Sequence, residues 1–213
     1  MHEANQVKNF IFGEHSLKLQ VPDEHLVREQ YHSSPGSTDK PVFPYWAKLW
    51  PASEALSDYL HANPQLIKNK IVLELAAGLG LPSIYAALHA KKVISSDYAP
   101  AALDLINESA NLNGFSNLEC RLIDWHHYPT ELQADVVLMS DVNYEPAQFE
   151  VLHNLITTLV HKGSTIILST PQRIMAKPFV ELLLPYSVEN ETVCIKAGDE
   201  ATDIFIMRLQ SPR

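Results

Sequence analysis

The stretch ELAAGLGLPS, residues 74–83, decides how the rest of the sequence is interpreted. It continues the apolar run IVLEL at 71–75, which is typical of a strand covered on both faces. It leads into a helix predicted over 81–90. Gly78 and Gly80 can adopt positive φ and let a ligand approach the backbone. The pattern therefore predicts a ligand at the carboxyl end of the strand, beside a helix N-terminus.

Outward from this turn, strand patterns alternate with helix patterns. Beyond the first strand, further strands are predicted at 93–97, 118–124, 134–140 and 164–170, and helices at 51–60, 81–90, 100–113, 146–160 and 174–184. Pro178 is expected to weaken the middle of the last helix. Strands that alternate with helices predict a parallel sheet with right-handed crossovers.

The end of the chain has a different pattern. Two β-rich segments, 187–195 and 201–209, are separated by about five residues, KAGDE. That spacing is too short for a crossover helix and predicts an antiparallel hairpin. The predicted fold class is α/β, a Rossmann-like, seven-stranded and mostly parallel sheet with a C-terminal antiparallel hairpin.

Residues 1–44 are less regular than the rest. One or two short strands are predicted around Gly13 within 10–21, and the segment from Tyr31 to Pro44 is rich in turn formers and predicts a loop. We interpret 1–44 as an N-terminal extension of strand and loop that could act as a flap, and 45–213 as the main domain.

Composition excludes several classes of function. The chain has 213 residues, with 16 Lys and Arg against 25 Asp and Glu, so the net charge of −9 disfavours nucleic-acid binding. No run of 18 apolar residues indicates a membrane span. Cys120 and Cys194 lack CxxC neighbours, and the N-terminus does not resemble a signal peptide, so a cytoplasmic location is expected. The histidine spacings predict no metal site, and nothing indicates the oligomeric state.

Acidic and aromatic residues follow the predicted strands. Asp97 comes nineteen residues after Gly78 and could accept hydrogen bonds from both hydroxyls of a ribose. Asp124 and Trp125 could bind the amino group of an adenine and stack on its ring. Because GLGLPS approximates GxGxxG, a nicotinamide dehydrogenase is an alternative. Glu74 favours a ligand with an ammonium or sulfonium over an anionic pyrophosphate.

Together these motifs resemble the seven-strand S-adenosylmethionine (SAM) methyltransferases, and more narrowly the lysine methyltransferase-like group called methyltransferase family 16. The resemblance covers about residues 46–170. It is carried by LWPASEAL (49–56), VLELAAGLGLPSIYAA (72–87), ISSDY (94–98), ESANLNG (108–114), IDW (123–125) and SDVNYE (140–145). The chain departs from the pattern at Ala76, where the family most often has its first glycine. Positive φ at this position would strain an alanine by about 1 kcal/mol or more.

The resemblance implies SAM as cofactor, S-adenosylhomocysteine as product, and 45–213 as a SAM-dependent methyltransferase domain. The implied cofactor-binding residues are Trp50, Glu74, Ala76, Ala77, Gly78, Gly80, Asp97, Tyr98, Asp124, Trp125 and Ser140. Trp46 is expected to be a packing residue.

Asp141 and Tyr144 form a D-x-x-Y motif on the acceptor side. Asp141 could hold a substrate ammonium and Tyr144 could orient the amine. In the alternative interpretation Asp141 caps the helix that begins at Pro146 and Tyr144 packs. Arg173 is expected to be a solvated loop residue, although it could contact substrate.

The resulting expectation is a SAM-dependent methyltransferase that acts on a protein substrate at lysine. Two alternatives stay open at this point. One is a small-molecule N- or O-methyltransferase, and the other is a SAM-binding protein without catalysis. The sequence names neither the acceptor nor the number of methyl groups transferred.

Overall fold

One seven-stranded sheet contains the strand that leads into the glycine turn. The computed structural model describes residues 5–33, 43–197 and 200–212. The strands are β1 (Gln6–Phe12), β2 (His15–Val21), β3 (Ile71–Leu75), β4 (Lys92–Asp97), β5 (Leu118–Leu122), β6 (Val136–Ser140), β7 (Thr165–Pro171), β8 (Ser187–Ala197) and β9 (Glu200–Leu209). The α-helices are α1 (Glu24–Ser33), α2 (Pro51–Ala62), α3 (Leu81–Ala86), α4 (Pro100–Leu112), α5 (Phe149–His161) and α6 (Lys177–Leu183).

The order of strands in the sheet is β5-β4-β3-β6-β7-β9-β8. Strands β3 to β7 pair in parallel. Strand β9 pairs antiparallel with both β7 and β8. The predicted fold class, with its C-terminal hairpin, is therefore confirmed. The carboxyl ends of the five parallel strands meet at one edge, where the candidate site lies.

Helices cover both faces of the sheet because successive residues of a buried strand point in opposite directions. Val72 packs into a cluster that includes side chains of α2, α3 and α4. Leu73 packs into a second cluster with side chains of α5 and α6. A strand buried on both sides explains why IVLEL is nearly continuous in apolar residues.

Three predicted helices differ from the structure in detail. The helix predicted over 81–90 is shorter, because α3 ends at Ala86. The last predicted helix is interrupted near its start, since a short 3-10 helix at Ile174–Ala176 precedes α6. Pro178 lies in the first turn of α6, where proline fits, and not in its middle. The helix predicted over 146–160 begins with a 3-10 turn at Pro146–Gln148 before α5.

Residues 5–33 contain more regular structure than predicted. Strands β1 and β2 form an antiparallel hairpin around Gly13, as expected. Helix α1 was not predicted. Its last three residues, Tyr31 to Ser33, lie in the segment that was expected to be a loop. The Asp23 carboxylate caps α1 by accepting from the backbone N–H of His25 at 2.9 Å and of Leu26 at 3.2 Å. Most of the predicted loop, 34–42, lies outside the described residues.

The N-terminal hairpin packs against α4. Leu17 and Leu19 of β2 are buried in the cluster on the α2–α3–α4 side of the sheet. The Asn113 side chain accepts from Lys18 N at 2.9 Å and donates to Lys18 O at 2.7 Å. Gln20 N donates to Ser109 Oγ at 2.8 Å. These contacts lie at the C-terminal end of α4, far from the carboxyl edge of the sheet. A boundary at residue 44 and a flap role for 1–44 stay predictions.

Candidate functional site

Three residues of the turn that follows β3 have left-handed backbone conformations. The φ values are 52° at Ala76, 56° at Gly78 and 72° at Gly80. The turn is fixed by hydrogen bonds from Ala77 N to Ser96 O and from Gly80 N to Ala77 O, both at 2.8 Å. An alanine in this conformation costs about 1–2 kcal/mol. The chain therefore departs from the family pattern at a position where glycine would relieve strain.

The two glycines have different neighbours. A Cβ atom at Gly80 would lie 2.8 Å from Cγ1 of the buried Ile106, so close packing of α4 requires glycine there. A Cβ at Gly78 would lie 3.5 Å from the carbonyl oxygen of Trp46, an ordinary contact distance. The Trp46 backbone thus passes over the turn and forms one side of a cavity. Trp46 and Trp50 do not share one helix, because a 3-10 turn at Tyr45–Ala47 precedes α2.

Glu74 binds the start of the helix that follows this turn. Its buried Oε2 accepts hydrogen bonds from Ser83 N at 2.9 Å and from Ser83 Oγ at 2.5 Å. Burial raises the pKa of the Glu74 carboxyl to about 8, against the opposing effect of the Ser83 hydrogen bonds. Glu74 is not among the described residues that line the cavities at this edge. Its observed contacts are to the first turn of α3.

Asp97, at the end of β4, connects the turn to the next strand. Its Oδ2 accepts from Gly78 N at 2.9 Å and its Oδ1 accepts from Ala99 N at 3.0 Å. Burial raises the pKa of this carboxyl, while the backbone hydrogen bonds oppose the rise. Each carboxylate oxygen can accept more than one hydrogen bond. The Asp97 side chain can therefore still accept from a ligand.

Three adjoining cavities lie along the carboxyl edge of the sheet. The first, the turn cavity, is lined by Trp46, Trp50, Ala76, Ala77, Gly78, Gly80, Asp97, Tyr98, Trp125, Ser140, Asp141 and Tyr144, among others. The second, the tryptophan cavity of about 400 Å³, is lined by Ala76, Tyr98, Asp124, Trp125 and Tyr144, among others. The third, the aromatic chamber of about 200 Å³, is lined by Tyr45, Trp50, Asp141, Tyr144 and Arg173. All predicted site residues except Glu74 thus line one continuous edge.

Asp124 and Trp125 begin the segment after β5. Asp124 Oδ1 accepts from His126 N at 2.9 Å, and Oδ2 lies 3.3 Å from His127 Nδ1. Partial burial raises the pKa of the Asp124 carboxyl, but the hydrogen bonds from His126 and His127 outweigh it and hold the pKa below its ordinary value. The Asp124 carboxylate is therefore charged near neutral pH.

Asp141 and Arg173 form a bidentate ion pair. Arg173 Nη1 donates to Asp141 Oδ1, and Nη2 donates to Oδ2 at 2.8 Å. The hydrogen bond to Asp141 raises the pKa of Arg173 although burial lowers it. Arg173 is thus not the solvated loop residue that was expected. The alternative in which Asp141 caps the helix at Pro146 is wrong, because the N-cap residue there is Glu145 and the Asp141 carboxylate binds Arg173.

The backbone at Asp141 is also unusual, since its φ is 53°. Its N–H donates to Ser169 O of β7 at 2.9 Å, which continues the pairing of β6 with β7 beyond the strand. Non-glycine residues in this conformation cluster at functional sites. The D-x-x-Y motif therefore begins with a strained residue. Ser169 holds the backbone of Asp141, and Arg173 holds its carboxylate.

Tyr144 is half-buried and lines all three cavities. Its ring centroid lies 4.8 Å from that of Tyr45. Trp50 Nε1 donates to Tyr45 O at 2.9 Å, and Lys48 Nζ lies 4.7 Å from the centre of the Trp50 ring. Burial raises the pKa of the Tyr144 hydroxyl, so it stays protonated at neutral pH. Sequence reasoning did not single out Tyr45, although the aromatic cluster FPYW at 43–46 was a signal.

Neither a membrane span nor a metal cluster is found in the described residues. Within 5–33, 43–197 and 200–212, no helix combines the length and apolar character needed to cross a membrane. In the same residues, no group of three or more His, Cys, Asp or Glu side chains is placed to hold a metal ion.

Curated proteins similar to this chain include protein methyltransferases. The histone-arginine methyltransferase METTL23 of Homo sapiens is 34% identical over 124 residues, which cover 55% of this chain and 65% of that protein. The electron transfer flavoprotein beta subunit lysine methyltransferase of Danio rerio is 31% identical over 143 residues, which cover 64% of this chain and 55% of that protein. The chain thus matches less than two thirds of the length of either relative.

Solved methyltransferase structures share the fold. A Pyrococcus horikoshii protein described as a candidate RNA methyltransferase has a TM-score of 0.61 at 16% identity, covering 88% of this chain and 97% of that one. The N-methyltransferase NodS of Bradyrhizobium japonicum has a TM-score of 0.58 at 16% identity, covering 76% of this chain and 97% of that one.

A family model described as lysine methyltransferase matches residues 45–184, more than half of the 213-residue chain. The family and the fold imply the use of SAM. The chain therefore belongs to the lysine methyltransferase family.

Proposed function

We propose that the chain is a SAM-dependent methyltransferase that acts on a lysine side chain of a protein. The observation that carries this proposal is the position of Tyr144, which borders the turn cavity, the tryptophan cavity and the aromatic chamber. A cofactor bound across the first two cavities would face an acceptor group in the third, with Tyr144 beside both.

The residues at the edge fit SAM in this proposal. Asp97 has acceptor capacity left for the ribose hydroxyls, and the missing Cβ of Gly78 leaves room beside the Trp46 backbone. Trp125 could stack on the adenine and Asp124 could accept from its amino group. Glu74 would act indirectly, by fixing the turn through Ser83. SAM supplies a methyl group that its sulfonium already activates.

The contribution of the protein to methyl transfer would then be alignment and desolvation. Holding an amine in line with the methyl–sulfur bond can lower the barrier by several kcal/mol, up to about 7–11 in ideal cases. The rings of Tyr45, Trp50 and Tyr144 line the proposed acceptor position and would displace water from a side chain that enters it. Removal from water lowers the pKa of a lysine and favours the neutral amine that can attack.

The Asp141–Arg173 pair favours lysine over arginine as the acceptor. A guanidinium stays charged at neutral pH and requires a carboxylate partner when it is buried. Asp141 carries the single carboxylate among the described residues that line the aromatic chamber, and Arg173 already binds both of its oxygens. A lysine can instead enter as a neutral amine. The role of Asp141 becomes positioning of Arg173 and of the loop that carries Tyr144, and not capture of an ammonium.

Arginine is the second candidate, because a relative with 34% identity is named as a histone-arginine methyltransferase. A test that separates the candidates is transfer from methyl-labelled SAM into cell lysate, followed by separation of proteins from small molecules. Acid hydrolysis of the labelled protein then distinguishes methyllysine from methylarginine. Methyllysine is the expected product. Methylarginine would support the second candidate, and label only in small molecules would overturn both.

Two variants connect that activity to the chamber. Asp141→Asn is expected to lower incorporation strongly, because the amide cannot hold the Arg173 guanidinium by charge. Asp104→Asn, the same substitution on the exposed face of α4, is the matched control and is expected to leave incorporation unchanged. Equal activity in the two variants would contradict the assignment of the chamber. Binding of SAM without transfer to any acceptor would favour a non-catalytic protein.

A further inference from the structure

An apolar groove adjoins the aromatic chamber. It has a volume of about 360 Å³ and is lined by Pro171, Arg173, Ile174, Ala176, Val180 and Phe205, among others. Arg173 belongs to the walls of both the groove and the chamber. Residues that follow the adjacent strands β6 and β7 line the chamber, and residues of β7, of β9 and of the segment after β7 line the groove, so the two features lie side by side at this edge.

The rim of the groove exposes large apolar side chains. Ile174 is 94% exposed and its neighbour Met175 is 49% exposed. Both belong to the short 3-10 helix at Ile174–Ala176, directly after Arg173. Adjacent exposed apolar residues beside a cavity are typical of an interaction surface. No acidic side chain is among the described residues that line the groove, although the whole chain has a net charge of −9.

We propose that this groove binds an apolar side chain of the protein substrate, close in sequence to the acceptor lysine. The proposal rests on the proposed function and adds a substrate preference to it. One side chain, Arg173, contributes to both cavities, so a peptide with its lysine in the chamber passes directly over the groove. An extended peptide advances about 3.3–3.6 Å per residue, and the two cavities share the Arg173 side chain as a wall, so we expect the apolar residue within about three positions of the lysine.

The same geometry argues against a second copy of the chain as the occupant. A protomer seated on the groove would cover Arg173 and close the mouth of the aromatic chamber. A stable dimer through this face would therefore exclude the protein substrate. A peptide leaves the groove after each reaction and has no such conflict.

The test uses a library of 11-residue peptides with a fixed central lysine and random residues elsewhere, together with methyl-labelled SAM. We expect methylated peptides to be enriched in Leu, Ile, Met or Phe at one position within about three residues of the lysine. On a peptide of the selected sequence, Ile174→Ser should lower kcat/KM about tenfold, mainly by raising KM. The matched control is Ile11→Ser, the same substitution at a 68% exposed isoleucine of β1, and it should leave kcat/KM unchanged.

The outcomes separate the two proposals. Methylation without an apolar preference, or with the same preference in Ile174→Ser, overturns the docking site and leaves the proposed function intact. Failure to methylate any peptide, with SAM bound and with methyllysine formed in lysate proteins, overturns the docking site and leaves the proposed function intact. Failure in both assays overturns both proposals. Sedimentation of the wild type as a dimer that Ile174→Ser converts to monomers would assign the groove to a second copy and overturn its assignment to substrate.

Discussion

Replacing Gly80 by alanine tests how the glycine turn is packed. The substitution has two costs. The left-handed φ of 72° strains any residue with a Cβ by about 1–2 kcal/mol, partly offset by about 0.4–1 kcal/mol from a less flexible unfolded chain. The new Cβ would also lie 2.8 Å from Ile106 Cγ1, an overpacking that costs a further 1–3 kcal/mol, roughly.

Gly114 separates these two costs experimentally. Its φ of 71° nearly equals that of Gly80, but no heavy atom of the described residues lies within 4 Å of a Cβ built there. Gly114→Ala should therefore show the backbone strain alone, at most about 1.6 kcal/mol after the offset from the unfolded chain. Urea denaturation of the two variants should show Gly80→Ala destabilised by about 1–3 kcal/mol more than Gly114→Ala.

A second substitution tests whether contact with Ile106 causes the extra destabilisation of Gly80→Ala. Removing the neighbour, as in Gly80→Ala combined with Ile106→Ala, deletes all three atoms that the new Cβ would meet and should recover the overpacking cost, whereas Ile106→Ala alone should destabilise by about 2–5 kcal/mol. Equal destabilisation by Gly80→Ala and Gly114→Ala, or additive effects in the double variant, would refute the argument that Ile106 dictates glycine in this turn.

Three further predictions concern carboxylates of the site. Asp97→Ala should weaken SAM binding by about 1.5–3 kcal/mol in calorimetry, because hydrogen bonds to a charged group are lost; an unchanged affinity would remove Asp97 from the site. Arg173→Met should destabilise the fold by about 1–3 kcal/mol in urea, since it leaves the Asp141 carboxylate buried and unpaired, and adding Asp141→Asn should restore part of the loss. The folded pKa of Glu74, about 8, exceeds its unfolded value, so wild-type stability should fall between pH 5 and 8, by at most about 1.4 kcal/mol per pH unit. Glu74→Gln should flatten that slope, and parallel slopes for the two proteins would show that Glu74 is not the cause.

The sheet was predictable because its signals are local. The run at β3 is apolar at nearly every position, and the short spacing between β8 and β9 leaves a hairpin as the connection. Helix α1 was missed for a physical reason. All ten of its residues are described and none is buried, so it lacks the strong apolar face that identifies a helix in a sequence.

The candidate site was predictable in position but not in its contacts. Strand alternation places Glu74 on the same face as Val72, so its carboxylate reaches Ser83 of α3 and not a ligand beyond the strand. Asp141 and Arg173 are 32 residues apart in sequence but follow adjacent strands. Because β6 and β7 were expected to be neighbours, the ion pair between the residues that follow them could have been predicted. The positive φ of Ala76 was not predictable, because alanine ordinarily avoids it.

The docking of the N-terminal hairpin on α4 has a consequence during synthesis. Lys18 and its partner Asn113 are 95 residues apart in sequence. At about 5–20 residues per second, a ribosome needs about 5–20 s to make the intervening chain. Throughout that interval Leu17 and Leu19 lack the part of their cluster that α4 contributes. The surface that β1 and β2 bind is thus incomplete until α4 has been made, and we expect the hairpin to finish docking only then.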